Sequence, residues 1–520
     1  MSHKSNIAKS AGIVGLATLM SRILGLVRDL VTAYFFGAGL AADAFFVAFR
    51  IPNLLRRLLA EGALTVSFIP IFTEYLTRKS REEAFEMVRA ALTLFSIILA
   101  LVTVAGMLLS PYLVMIFAPG FTSDPEKFQL TVLLTRVMFP YIFLVGLVAL
   151  AMGILNSLNK FAAPALSPVM LNLGMIGSIY LFRNYFDPPI MALAVGVLVG
   201  GTLQVVLQIP YLIREGRLIG ISFNFNHPAL KRIGLLMVPA AFGAAMYQIS
   251  VFVNTLLASF LPEGSVSYLY YADRLMQFPL GVFAVAVATA VLPTMSRQTA
   301  EGDMAGLKDT VSFSLRLVLF ITIPATIGLI VMAQPLIQLL LQHGRFVAAS
   351  TRATATALIA YAVGLCALSA VQILVRVFYS LQDTKTPVKI AMISLTSNIV
   401  VCLLLMKPMQ HNGLALASSI GSMINFVLLV IVLRRRLGPI GGRAVAWSAS
   451  KNTLWALVMG SGVYLMTRGL VPEQSYSNWY LGGMVGGATL LGMGLYLGQA
   501  ALGRAPEMSA LLRIFRKRVR

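Results

Sequence analysis

Ionised side chains are what this chain has least of. Asp, Glu, Lys and Arg make up only 12% of its 520 residues, and within that share the acids are outnumbered, 19 to 41. Cysteine occurs twice, at Cys366 and Cys402, both inside apolar runs, so no disulfide framework is expected. Four scattered histidines, His3, His227, His343 and His411, lack metal-ligand spacing, and neither a metal nor a cofactor is predicted. There is no Gly-rich phosphate loop, no Ser-His-Asp set, no catalytic carboxylate pair and no nucleotide-binding domain, so the chain does not read as an enzyme. The formal charge of +22 points toward nucleic acid, but the basic residues form neither one long patch nor an aromatic-interleaved motif, and nucleic acid is excluded as a partner.

What the chain has instead is apolar length. At 58% hydrophobic residues and a mean hydropathy of +0.84, it carries more apolar surface than a soluble core can bury, and it reads as an all-α polytopic membrane protein. About fourteen apolar segments follow one another, at 11–36, 44–72, 84–116, 128–157, 161–182, 189–213, 231–260, 266–296, 308–341, 348–380, 386–406, 412–433, 445–467 and 478–502. Each is near the length that roughly 30 Å of hydrocarbon requires. Lys4 and Lys9 ahead of the first segment resemble a signal peptide, yet no small-residue cleavage site follows, so an uncleaved first helix is expected. Loops after even-numbered segments carry Arg78, Lys79, Arg81, Lys160, Arg214, Arg217, Arg297, Lys385 and Arg434 to Arg436, and the tail adds Arg513 to Arg520. Loops after odd-numbered segments are poor in Lys and Arg, so the positive-inside rule places both termini in the cytoplasm.

An internal repeat runs at a constant offset of 223 residues: Pro70 meets Pro293, Ser157 meets Ser380, Leu158 meets Leu381 and Pro164 meets Pro387. Six spans separate each pair, and an even number preserves orientation. Two parallel six-helix repeats are therefore expected, related by an axis along the membrane normal, with a pathway between them. The expected divisions are an N-lobe at 1–220, a C-lobe at 221–440, and an addition at 441–520 made of two further helices and a basic tail.

Charges interrupt the spans where lipid tolerates them least. Arg22, Arg28 and Asp29 lie in the first segment, and Asp43, Arg50, Arg56, Arg57 and Glu61 lie in or beside the second. An Arg at the centre of a lipid-facing helix costs about 2.5 to 3.5 kcal/mol on insertion scales, so several cannot all face hydrocarbon. Asp43, Arg50, Arg57 and Glu61 recur at helical spacing and share one face, with Pro52 as a kink. In the repeat Arg50 aligns with Asp273, next to Arg274. Counting Arg22, Arg28, Arg50, Arg56, Arg57 and Arg274 against Asp29, Asp43, Glu61 and Asp273 leaves an excess of two positive charges. A central cationic cavity of this kind suits an anion such as a phosphorylated head group, which a guanidinium grips with two parallel hydrogen bonds. The other reading is that the charges pair internally, Arg28 or Arg22 with Asp29 for example, and pin helices. Arg89, Arg136, Arg316 and Arg376 read as side chains reaching for an interface. Asp383, at a helix junction, is either a ligand for a coupling cation or a helix cap before Thr384.

The runs SRILGLVRDLVTAYFFGAGLAADAFFVAFRIPNLLRRLLAEGA, YYADRLMQFPLGV and YSLQDTKTPVKIA closely resemble the MurJ (MviN) lipid II flippases of bacteria, within the multidrug, oligosaccharidyl-lipid and polysaccharide exporters. The resemblance spans essentially the whole chain. It implies a two-lobed bundle of fourteen helices in the inner membrane that moves the undecaprenyl-pyrophosphate-linked peptidoglycan precursor, lipid II, from the inner to the outer leaflet by alternating access. It also implies cavity roles for Arg28, Asp29, Arg56 and Arg274, with Arg22, Asp43 and Glu61 at further polar positions, and a groove for the lipid tail formed by the last two helices. Partners would be lipid II, membrane lipids and cell-wall synthesis proteins. Gln277 stands where some relatives have Glu, so no acidic role passes to it. Two alternatives remain, export of another polyprenyl-linked oligosaccharide and a MATE-like drug antiport, although the latter would call for an acidic cavity.

Overall fold

The computed structural model describes residues 3–57, 64–216, 220–474 and 476–509; Glu61, Arg217 and the basic residues from Arg513 to Arg520 lie outside them. Every regular element among the described residues is helical, as the composition requires. The chain packs into two compact units, Met1–Gly264 and Ser265–Arg520.

The first unit holds α1 (His3–Phe36), α2 (Leu40–Arg56), α3 (Thr65–Arg78), α4 (Arg81–Leu108), α5 (Ser110–Phe117), α6 (Pro125–Met138), α7 (Tyr141–Ser157), α8 (Ala162–Phe182), α9 (Met191–Arg214) and α10 (Pro228–Ser259). Local chemistry sets several of its starts. Ser80 accepts a hydrogen bond from Glu83 N–H ahead of α4, and Asp124 accepts one from Lys127 N–H ahead of α6, where Pro125 occupies the first turn. Gly37, at φ +66°, makes the turn between α1 and α2. The core of this unit gathers Phe68, Phe72, Met87, Val88, Leu150, Ile154 and Leu155 from α3, α4 and α7, and takes in Leu230 and Ile233 of α10. Packing thus groups α10 with the first unit, whereas the sequence offset aligns it with the start of the second repeat.

The second unit holds α11 (Ser265–Pro279), α12 (Val285–Ala300), α13 (Met304–Leu341), α14 (Ala348–Ala362), α15 (Leu365–Ser380), α16 (Lys385–Leu437), α17 (Gly442–Thr467) and α18 (Asn478–Leu502). A π-helical turn over Leu280–Ala284 joins α11 to α12. The 53-residue α16 is two helices joined at Gln410, whose φ of +50° breaks the helical path. The two added helices pack on α13 through Phe320, Ile323, Met459, Val463, Val485 and Tyr496, and the Tyr496 hydroxyl donates to Phe320 O at 2.7 Å.

All fourteen expected segments fall on these helices, the second of them on α2 and α3 to either side of residues 58–63. Eight of the described helices are long and apolar enough to cross a membrane, or nine if α14 and α15, bent by 42°, form one broken span. The charged α1 and α2 are not among the eight, and α2 spans 17 residues.

In lipid, apolar surface alone does not drive helices together, so close backbone approach carries much of the association. The α8–α9 contact shows this. A Cβ added at Gly174 would sit 2.4 Å from Gly200 Cα, and one at Gly200 would sit 2.8 Å from Leu171 O. Gly200→Ala is therefore expected to lower the thermal unfolding temperature of the purified protein, at a cost of about 1–3 kcal/mol for overpacking. Gly177→Ala, on α8 with nothing within 4 Å of the added carbon, is expected to leave it unchanged or raise it.

Candidate functional site

The charges in the first unit are held by specific neighbours. On α1, Asp29 is 2% exposed and accepts from Arg28 Nη2 at 2.6 Å and from Arg28 Nε at 3.0 Å, so the two adjacent residues form a paired, two-point contact. The other arm of Arg28, Nη1, donates to Asn172 Oδ1 of α8 at 3.2 Å. Asn172 is itself fixed, since its amide donates to Pro168 O at 3.1 Å and to Ser21 O of α1 at 3.3 Å. The guanidinium is thereby aimed by a side chain whose own geometry α1 and α8 determine together. This internal pairing is one of the two readings the sequence left open, and Arg28 takes it with Asp29, while Arg22 lies exposed on the same helix.

On α2, Asp43 is fully buried, and its carboxylate accepts from Lys127 Nζ of α6 at 2.8 Å and from Gly264 N–H at 2.8 Å. Lys127 is 5% exposed, and its ammonium also lies 4.3 Å from the centre of the Phe121 ring. A second capping bond lies beside it: the N–H of Leu40, the first residue of α2, donates to Glu263 Oε1 at 2.6 Å. Gly39 admits this carboxylate, because a Cβ there would come within 2.9 Å of Glu263 Oε1. Two carboxylates thus satisfy backbone donors in opposite directions at the amino end of α2, where the helix dipole favours negative charge. Further along α2, Arg50 Nη1 donates to Thr255 Oγ1 of α10, and Arg56 Nε donates to Asn53 Oδ1 at 2.8 Å. Arg57, the residue after α2, is half-buried.

In the second unit Asp273 and Arg274 are consecutive and half-buried on α11, and Asp273 accepts from Gln277 Nε2 one turn on. Asp383 lies at the start of α16. Its carboxylate accepts from Thr386 N–H at 3.0 Å, from the Thr386 hydroxyl at 2.7 Å and from Arg436 Nη1 at 2.6 Å. These bonds are those of a helix cap tied to the far end of the same hairpin. The Thr386 N–H and hydroxyl, with the Arg436 guanidinium behind them, hold the Asp383 carboxyl below its ordinary value of 3.8. Among the described residues no group of three or more His, Cys, Asp and Glu side chains is placed to hold a metal ion.

Sequence reasoning missed the partners. Lys127 is a lone basic residue in an odd-numbered loop, and that departure from the charge rule was the available signal. Asn172, Thr255 and Glu263 gave none, since each lies far along the chain from the residue it serves. Glu507 was also unforeseen. It is 2% exposed, accepts from Ser448 Oγ of α17 at 3.1 Å and lies 3.5 Å from Arg316 of α13.

The comparisons with known proteins agree in direction. The family model described as Lipid II flippase MurJ matches residues 32–484. The probable lipid II flippase MurJ of Vibrio cholerae serotype O1 is 39% identical over 430 residues, which cover 81% of this chain and 82% of that protein. The lipid II flippase MurJ of Burkholderia cenocepacia is 38% identical over 427 residues, covering 81% and 82%. Among solved structures, a lipid II flippase MurJ in an inward closed conformation superposes with a TM-score of 0.79 at 28% identity, covering 98% of this chain and 99% of that one. An inward-facing MATE family transporter of the MOP superfamily superposes at 0.69 with 15% identity, covering 83% and 99%, which speaks to the fold alone.

Removing one member of a buried pair leaves the other charge unanswered, at a cost of about 3–5 kcal/mol, more than the pair itself contributes. Lys127→Met is therefore expected to lower the unfolding temperature and membrane accumulation sharply, and adding Asp43→Asn to restore much of the loss. Thermal unfolding of the two variants and the wild type reads this directly. For Asp383, replacement by Ala is expected to cost about 1 kcal/mol as a lost cap. Because the native pKa is depressed, that difference is fully present above pH 3.8 and disappears as pH falls through the native value. Sodium should leave the difference unchanged; a sodium-dependent shift would favour a cation site instead.

Proposed function

The chain belongs to the lipid II flippase MurJ family, and from that membership we propose that it carries lipid II across the bacterial inner membrane, as a multi-pass transporter. The observation that carries this reading is the family match over residues 32–484, together with the arginines of α1, α2 and α11, of which those of α1 lie just ahead of the matched range. Lipid II presents a pyrophosphate, and guanidinium groups suit it because two parallel N–H donors fit two phosphate oxygens. Arg28, Arg56 and Arg274 bind it, with Arg22, Arg50 and Arg57 adding positive potential and Glu61 and Asp273 balancing it. Two of the acidic residues do other work. Asp29 orients Arg28, and Asp43 is neutralised by Lys127, a cation outside the counted set, so the positive excess rises from two to three.

Translocation proceeds by alternating access, from the inner to the outer leaflet, with both termini in the cytoplasm. The head group enters, its pyrophosphate neutralises the arginines, and closure follows. Without cargo the arginines repel one another and closure is disfavoured, which couples movement to occupancy. The tail stays in lipid beside α17 and α18. The lobes are the repeats at 1–220 and 221–440, and cell-wall synthesis proteins receive the product. An antiporter of drugs is disfavoured by the excess of positive charge.

Loss of one charged hydrogen bond to phosphate is worth roughly tenfold or more in affinity. Arg28→Gln and Arg274→Gln are expected to fail to support growth when the wild-type protein is depleted, with lipid-linked precursor accumulating on the inner leaflet while its synthesis continues. Arg297→Gln, which removes only an exposed pair with Glu301, should behave as wild type. Normal translocation by both Arg28→Gln and Arg274→Gln would defeat this assignment.

A further inference from the structure

Residues 220–227, between α9 and α10, form a short strap laid against α4. It is neither helix nor strand, and Phe225 N–H closes a turn onto Phe223 O at 2.9 Å. On one side Ser222 N–H donates to Thr93 Oγ1 at 3.1 Å and Asn224 Nδ2 donates to Glu86 Oε1 at 3.0 Å, which fixes the strap to α4. On the other side Ile221 and Phe223 are 76% and 73% exposed, and Phe225, 42% exposed, meets Phe223 edge to face at 6.0 Å. Three large exposed apolar side chains on a strap held to α4 by polar bonds are costly in water and favourable in lipid.

The depth and charge of the strap fit that environment. Arg89 is the last ionised residue of α4; everything from Ala90 to Leu108 is uncharged, so Thr93 lies in the first turn of the apolar part of the span. The strap therefore crosses α4 where the span leaves the polar boundary. Beneath it lies Arg89: a Cβ at Gly220 would come within 2.9 Å of Arg89 Cδ, and Arg89 Nε is buried with no hydrogen-bond partner among the described residues. Arg214, which ends α9, and Lys231, in the first turn of α10, are both exposed. Positive charge beside an apolar wedge at an interface is the pattern that binds a membrane carrying anionic lipid.

We propose that the strap and Arg89 form a binding site for an anionic phospholipid, with Ile221, Phe223 and Phe225 set among its acyl chains and the Arg89 guanidinium on its phosphate. The site lies in the cytoplasmic leaflet, which rests on the orientation given under the proposed function; the site itself does not depend on which leaflet that is. It is separate from the arginines that bind the cargo, and it anchors the connection between the two repeats in the bilayer.

The test uses the full chain, with Cys366 and Cys402 replaced by Ala and a spin label attached through Phe223→Cys, in nanodiscs of phosphatidylethanolamine with phosphatidylglycerol. Collisions with oxygen are expected to exceed those with a water-soluble nickel chelate; the reverse would put the strap in water and overturn the proposal, including the case where it serves a soluble protein partner. In a second arm, native mass spectrometry follows phosphatidylglycerol carried by the detergent-extracted protein, with phosphatidylcholine as the neutral reference. Arg89→Gln is expected to reduce retention of phosphatidylglycerol about tenfold and leave phosphatidylcholine unchanged, whereas Arg297→Gln should reduce neither. Equal retention by wild type and Arg89→Gln would overturn the proposal, and so would retention of lipid II alone, since the site would then belong to the cargo. Labelling of intact cells at Asn226→Cys with a membrane-impermeant thiol reagent reads the leaflet separately, so a reversed orientation is distinguishable from a failed site.

Discussion

An ionised group taken out of water must be answered by another polar group, and the arrangement of this protein follows from meeting that requirement inside a membrane. Among the described residues, each buried carboxylate of the first unit is met by a cation: Asp29 by its neighbour Arg28, and Asp43 by Lys127 from α6. Where a cation meets a carboxylate from another helix, the pair also fixes the two helices against each other. Asp43 adds the backbone of Gly264 to the same carboxylate, and Glu263 answers with the backbone of Leu40, so polar groups join the buried Ala42, Ala44 and Phe45 in defining the amino end of α2. The second unit uses the same device at Glu507, where one buried carboxylate ties α17 and α13 to the end of the chain.

These pairings change what the charged residues are for. Counted in sequence, Asp29 and Asp43 look like part of a common pool with the arginines. In the structure Asp29 serves to aim Arg28, whose second arm rests on Asn172, and Asp43 serves α2 and α6. Held by Asp29 through Nε and Nη2 and by Asn172 through Nη1, the Arg28 guanidinium keeps little freedom of its own. The glycines of α8 and α9 let those two backbones touch near Gly174 and Gly200.

The apolar segments and their helical nature were legible because hydropathy is a local property, summed along the chain with no reference to neighbours. All fourteen segments lie on helices, and the break at Gln410 falls between the eleventh and twelfth, as their separation implied. The site was legible only in part. Arg28 and Asp29 are consecutive, so their pairing was already among the readings of the sequence. Lys127, Asn172, Thr255 and Glu263 were not foreseen, since Lys127 looked like a stray loop charge and the others like ordinary polar residues. The cap at Asp383 stood among the expected readings through its position before Thr384, but the added hold of Arg436 depends on the fold of α16 back on itself.

By itself, then, the sequence determined the solvent in which this protein lives, the spans that cross it and the surplus of positive charge within them. Hydropathy and net charge are sums, and sums are blind to folding. Which charge answers which was decided only by tertiary structure. Asp43 and Lys127 are 84 positions apart, Asp43 and Gly264 are 221 apart, and Arg28 and Asn172 are 144 apart. Ion pairs and hydrogen bonds act over a few ångströms, and helix packing alone brings such distant residues within that range.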